Sequence, residues 1–114
     1  MPFLKIQTNQ SLSEADAKSL VSRSSALVAE QLGKPERYVM TSVETNPTML
    51  FAGTHEPLAF LELKSIGLPE SITADVSRAL CTLISDETGI KPDRIYIDFA
   101  DAPRKMWGWD GGTF

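Results

Sequence analysis

The chain has 114 residues and a formal net charge of −4, from 15 Asp and Glu against 11 Lys and Arg. That length sets one domain, 1–114, around one core, and 42% apolar with 23% charged residues excludes disorder and collagen-like sequence. The cation deficit argues against a nucleic-acid partner, and one Cys with one His makes neither a disulfide nor a metal cluster, so no metal or other cofactor is expected.

Chain order begins with Met1-Pro2-Phe3-Leu4-Lys5-Ile6-Gln7. It has no basic stretch followed by a long apolar one, and no run later in the chain approaches a membrane span. No membrane partner is expected. The expected location is the cytoplasm, or outside the cell by a route that uses no signal peptide. Phe3 to Thr8 is rich in strand formers. Ser13 to Leu32 carries Ala17, Leu20, Val21, Leu27, Val28 and Leu32 at helical spacing. Ser11 with Glu14, or Ser13 with Asp16, offers the N-cap. Gly33 supplies a left-handed ending and Pro35 forbids continuation. Val39 to Thr45 then reads as a strand.

The same order returns in the second half. Leu58 to Ser65 reads as a strand, Ile72, Val76, Ala79, Leu80 and Leu83 form a helical stripe, Gly89 and Pro92 end it, and Ile95 to Phe99 is a strand. Pro2-Phe3-Leu4-Lys5-Ile6 aligns with Ala59-Phe60-Leu61-Glu62-Leu63, and Lys34-Pro35-Glu36-Arg37 with Lys91-Pro92-Asp93-Arg94. The offset is 57 in both cases (59 less 2, and 91 less 34), half the chain. Two pseudo-repeats, 2–57 and 59–114, follow. Each is a strand–helix–strand unit with parallel strands, and the pair predicts an α/β (α+β) fold: a four-stranded mixed sheet with both helices on one face. Alternation puts Leu4, Ile6, Leu61, Leu63, Ile95, Ile97 and Phe99 under the helices. Phe3, Lys5, Gln7, Phe60, Glu62, Lys64, Tyr96 and Asp98 then share the other face, a mixed surface suited to a wet interface between copies of the chain.

Pro2 is the residue with chemistry to offer. Removal of Met1 before this small residue would free a secondary amine at the chain terminus, and an α-amino group is the unperturbed amine whose pKa lies closest to neutrality. A cation such as Lys34 at about 6 Å would oppose its protonation by about 2.8 kcal/mol at an effective dielectric of 20, bringing the base form within reach at neutral pH. Read without further context, Pro2 simply starts an edge strand, where its missing N–H costs nothing.

Five motifs in order change that weighting. Pro2-Phe3, Gly33-Lys34-Pro35 with Tyr38, Lys64-Ser65-Ile66-Gly67, Pro92-Asp93-Arg94-Ile95-Tyr96-Ile97, and Gly108-Trp109 with Thr113-Phe114 resemble the macrophage migration inhibitory factor family. This family belongs to the tautomerase superfamily with an amino-terminal proline. The resemblance implies a homotrimer whose three sheets enclose a solvent channel, with sites at subunit boundaries. It also implies cofactor-free keto–enol tautomerisation of phenylpyruvate-like 2-oxo acids and of a dopachrome ester. The alternative within the same family is a cytokine-like signalling protein whose catalysis is weak or vestigial, with a receptor as partner if the protein is secreted.

By the same resemblance Pro2 is the catalytic base, and Lys34 contacts the carboxylate or carbonyl end of the substrate and depresses the proline pKa. Ile66 offers its backbone N–H to that end. Tyr38, Trp109 and Phe114 are aromatic walls, Tyr96 is a wall supplied by the neighbouring subunit, and Asp98 meets the far end of the substrate. Five positions depart from the mammalian cytokines: Asp98 stands for an asparagine, Trp107 for a smaller aliphatic residue and Lys64 for a histidine, while Leu58 and Leu61 occupy the places of a Cys-x-x-Cys pair. Thiol–disulfide exchange at that pair is therefore not expected.

Overall fold

The computed structural model describes residues 1–114. Strand β1 (Phe3–Thr8) leads into helix α1 (Glu14–Leu32), and a 3₁₀ turn at Glu36–Tyr38 delivers the chain to β2 (Met40–Thr45). The second half repeats this as β3 (Ala59–Ile66), α2 (Thr73–Thr88), a 3₁₀ turn at Pro92–Arg94 and β4 (Ile95–Ala102). The sheet order is β2-β1-β3-β4. β1 is parallel to β2 and β3 to β4, while β1 and β3 run antiparallel at the centre. This is the mixed sheet expected of two tandem units. In the central ladder Lys5 faces Glu62, its own counterpart in the repeat. The pseudo-twofold axis relating the halves thus passes between those two residues.

The core forms where the apolar face of the sheet meets the helices. Leu4, Ile6, Leu61, Leu63 and Ile95 from the strands pack with Leu20, Val28, Val76, Leu80 and Ile84 from the helices in one cluster. Burial of this kind is the main stabilising contribution, about 1.5–3 kcal/mol for each large side chain before entropy is counted. Leu58 and Leu61, at the Cys-x-x-Cys places, are both buried. Cys81 is partly buried beside this cluster. Burial pushes its thiol pKa up, partly opposed by a hydrogen bond from Ser77. No helix is long and apolar enough to cross a membrane.

Helix boundaries follow the capping chemistry. Ser13 is the N-cap of α1, its Oγ accepting from the Asp16 N–H at 3.1 Å. Ser11, the other candidate, instead donates to Asn46 Oδ1 at 2.6 Å. Gly33 adopts φ +62°, and its N–H and that of Lys34 donate to Glu30 and Ala29 carbonyls, a Schellman ending. β4 runs three residues beyond Phe99, to Ala102. Apolar alternation stops at Phe99, but the register with β3 continues to Ile66 opposite Ala102. Parallel pairing carries a segment that propensity alone does not mark.

Alternation along the strands did not reach the C-terminal tail, which forms a two-stranded hairpin, β5 (Gly108–Trp109) and β6 (Gly112–Thr113). Asp110 and Gly111 between them have φ of +51° and +78°, the pair of left-handed residues that an Asp-Gly turn favours.

Candidate active site

Three segments converge at one end of the sheet: the chain start, the 3₁₀ turn after α1, and the C-terminal hairpin. Pro2 is buried, and its carbonyl accepts from the Met40 N–H at 3.0 Å, so β2 fixes it although its ring nitrogen cannot join a ladder. The Met1 ammonium donates to the Tyr38 carbonyl at 2.9 Å. Trp107 accepts from the Phe114 N–H at 3.2 Å, which closes the tail over this region. Together these segments enclose a cleft of about 380 Å³ whose wall includes Met1, Pro2, Phe3, Tyr38, Trp107, Trp109 and Phe114.

The aromatic walls hold one another. Trp109 and Phe114 stack with centroids 5.5 Å apart and 14° between planes. Tyr38 meets them edge-on at 5.8 and 6.2 Å. Such arrangements satisfy the ring quadrupoles, and all three rings line the cleft that Pro2 also borders. Tyr38, Trp109 and Phe114 are therefore brought together.

Lys34 approaches from a different direction. The Schellman ending fixes its backbone, and its ammonium nitrogen stands 4.0 Å from where a Cβ on Gly67 would lie. It is not part of the cleft wall, but its charge reaches the chain terminus. The Met1 α-amino pKa is held below its ordinary value, first by burial and then by repulsion from Lys34. Ile66 is buried at the end of β3, where the ladder to β1 has already stopped at Phe3 opposite Lys64. Gly67 follows with φ +68° and turns the chain beneath Lys34.

Tyr96 and Asp98 do not join this group within one chain. Tyr96 pairs with Phe60 and Asp98 with Glu62, far along β3 from the end that borders Pro2. Strand spacings put Tyr96 about 19 Å from Pro2. Tyr96 is 64% exposed and borders a second, wholly apolar cleft with Met49, Leu50, Phe51 and Phe60. The open sheet face carries Lys5, Glu62 and Asp98 in one row, none of them in an ion pair.

Sequence reasoning missed two parts of this site. Arg37 lines the cleft with its guanidinium 4.7 Å over the Tyr38 ring. Met40 lies opposite Phe3 across the β1–β2 ladder and also lines it. Extending the strand alternation to β2 would have found Met40; nothing local signals Arg37. The single histidine, His55, lies outside this cleft with its Nδ1 3.1 Å from the Met49 carbonyl. No group of three His, Cys, Asp or Glu side chains is placed to hold a metal ion. A more open groove of about 690 Å³ between α1 and α2 lies on the far side of the sheet, edged by Arg23, Glu30, Asp75, Arg78 and Asp86. Its charges are solvated and it contains no counterpart of Pro2.

With the cleft and its aromatic walls described, comparison with known proteins is decisive: the family model for macrophage migration inhibitory factor matches residues 1–114. The chain belongs to this family. It is 34% identical over 115 residues to macrophage migration inhibitory factor of Mus musculus, covering 100% of this chain and 99% of the relative. It is 36% identical over 118 residues to the Brugia malayi homologue, with 100% and 99% covered. Among solved structures, the homologue from Prochlorococcus marinus superposes with a TM-score of 0.92 at 47% identity, covering 98% of each chain. The Trichinella spiralis protein superposes with a TM-score of 0.90 at 33% identity, covering 98% of this chain and 99% of the other.

Proposed function

We propose that this protein is a cofactor-free keto–enol tautomerase of phenylpyruvate-like 2-oxo acids, with the Pro2 amine as general base once Met1 is removed. The observation that carries the reading is the lowered pKa of the Met1 amine, caused by burial and by Lys34. Pro2 is more deeply buried than Met1 and is its chain neighbour. An amine freed there meets the same two influences, and its base form gains population near neutral pH. Family membership supports the same assignment.

The chemistry is a proton relocation. Pro2 nitrogen takes a proton from the carbon beside the ketone, and the electron pair of that C–H bond becomes the new carbon–carbon double bond as charge moves to oxygen. Lys34 and the Ile66 N–H stabilise the enolate oxygen or the adjacent carboxylate. The prolinium then gives its proton to that oxygen, which completes the enol; the reverse sequence restores the ketone. A base positioned in this way contributes roughly 10² to 10⁴ in rate. Tyr38, Trp109 and Phe114 hold the aromatic end of the substrate.

The reading includes a homotrimer in which Tyr96 and Asp98 of one protomer reach the Pro2 cleft of the next. Support comes from their distance from Pro2 within one chain and from the exposed apolar cleft beside Tyr96. A dopachrome ester is a second substrate in this scheme, and the cytoplasm remains the proposed location.

Replacing Pro2 tests the proposal. Pro2→Gly keeps an amine but loses the secondary one, and enolisation of phenylpyruvate is expected to fall at least tenfold while light scattering still reports a trimer. Intact-mass spectrometry must first establish that Met1 is absent. Undiminished turnover in the variant removes Pro2 from the mechanism.

A further inference from the structure

Arg94, at the start of β4, is buried with 9% exposure and forms no ion pair. Its guanidinium is satisfied by backbone alone. Nε donates to the Pro57 carbonyl at 3.2 Å, Nη1 to Phe51 at 2.9 Å, and Nη2 to Thr54 at 3.3 Å and Glu56 at 3.0 Å. All four acceptors belong to one irregular loop between β2 and β3, whose backbone includes positive φ at Ala52 and Gly53. Burying a guanidinium without a counter-ion is costly, and charge-assisted hydrogen bonds of this number offset it. The same guanidinium lies 5.0 Å over the Phe51 ring, and that ring lies 4.6 Å from Tyr96.

The duplication shows that the 3₁₀ turn itself does not need this burial. Arg37 occupies the equivalent place in the first half, on a 3₁₀ turn of the same length, yet it is exposed and lies over Tyr38. The second half has therefore turned its arginine to another use.

We propose that Arg94 is a positioning residue for the tautomerase site: its grip on the 51–57 loop fixes Phe51 and, through it, the Tyr96 ring that completes a neighbouring protomer's cleft. This rests on the trimeric tautomerase reading given above. Tyr96 is otherwise exposed on an open sheet face, with the Phe51 ring packed against it. A lysine at 94 keeps the charge but presents its donors from one point, and cannot span the four carbonyls.

The test uses processed full-length protein with phenylpyruvate as the probe. Arg94→Lys is expected to remain trimeric, with KM raised about tenfold and kcat changed less than threefold, because Tyr96 is a wall and carries no proton. Phe51→Leu, which leaves the arginine and its hydrogen bonds in place, is expected to raise KM in the same way. If Arg94→Lys fails to assemble, Phe51→Leu decides alone. Co-refolding Arg94→Lys chains with Pro2→Gly chains then tests the route between subunits. In random one-to-one mixtures about a quarter of the boundaries join an intact Pro2 to an intact neighbouring Arg94, and these are expected to turn over with wild-type KM. Wild-type KM in an assembled Arg94→Lys trimer or in Phe51→Leu overturns the proposal, as does a mixture with no wild-type component. If the unmodified protein fails to turn over phenylpyruvate, the tautomerase reading falls first and this proposal with it.

Discussion

Lys34 and Gly67 meet although they belong to opposite halves of the duplication: the lysine nitrogen stands 4.0 Å from the position a Cβ on Gly67 would take. The candidate site is thus built across the repeat. The first half supplies the cation and the second supplies the strand end and turn beneath it.

That turn limits what residue 67 can be. Gly67 has φ +68°, a conformation that costs an L-residue about 1–2 kcal/mol. At 4.0 Å an added methyl is in ordinary contact with the lysine nitrogen. Gly67→Ala is expected to lose roughly that much stability in urea titration, while the pH midpoint of activity stays in place. A moved midpoint would show that the turn also sets the position of Lys34.

The charge of Lys34 has a pH signature with a definite sign. In processed protein the rate is expected to rise with pH as the Pro2 nitrogen loses its proton, with a midpoint below the ordinary α-amino value of about 8. Lys34→Ala is expected to move that midpoint upward and to lower the plateau, since in the proposed mechanism the cation also stabilises the enolate. A midpoint that does not move separates Lys34 from the basicity of Pro2.

Protein that retains Met1 shows the linked effect on stability. The Met1 amine has a lowered pKa in the folded chain, so between that value and its unfolded value near 8 the unfolded chain binds more protons. Stability is expected to rise with pH across that window and to level off above it. Urea midpoints at several pH values, compared with acetylated protein, measure the slope.

Asp98 lies beside Glu62 in the β3–β4 register, so two carboxylates share one patch of the open face. If that patch faces the far end of an acidic substrate at roughly 8 Å, removing one charge is worth about 1 kcal/mol at an effective dielectric of about 40. Asp98→Asn is therefore expected to improve kcat/KM for hydroxylated phenylpyruvate about fivefold. A decrease would mean that the carboxylate assists by accepting from the phenol.

Ser24 is fully buried in α1 and its hydroxyl has no hydrogen-bond partner. Ser24→Ala removes an unsatisfied polar group and improves helix propensity. A gain of about 1 kcal/mol is expected in urea unfolding at fixed protein concentration, with turnover unchanged. Loss of stability would reveal a partner for the hydroxyl, such as a buried water.

The sequence by itself determined the duplicated unit, because apolar alternation in Leu4-Lys5-Ile6 and Leu61-Glu62-Leu63 and the stops at Gly33 and Gly89 are local properties of the chain. It also named Pro2, Lys34, Tyr38, Trp109 and Phe114 through motif order. Only the tertiary structure decided that Lys34 meets Gly67, that Arg94 is buried while its counterpart Arg37 is exposed, and that Tyr96 lies far along the sheet from Pro2 of its own chain. The two arginines follow the same kind of Lys-Pro-acidic turn, and the residues before them do not distinguish them. What separates them is the loop that each finds on folding, and long-range contact of that kind leaves no periodicity in the sequence to read.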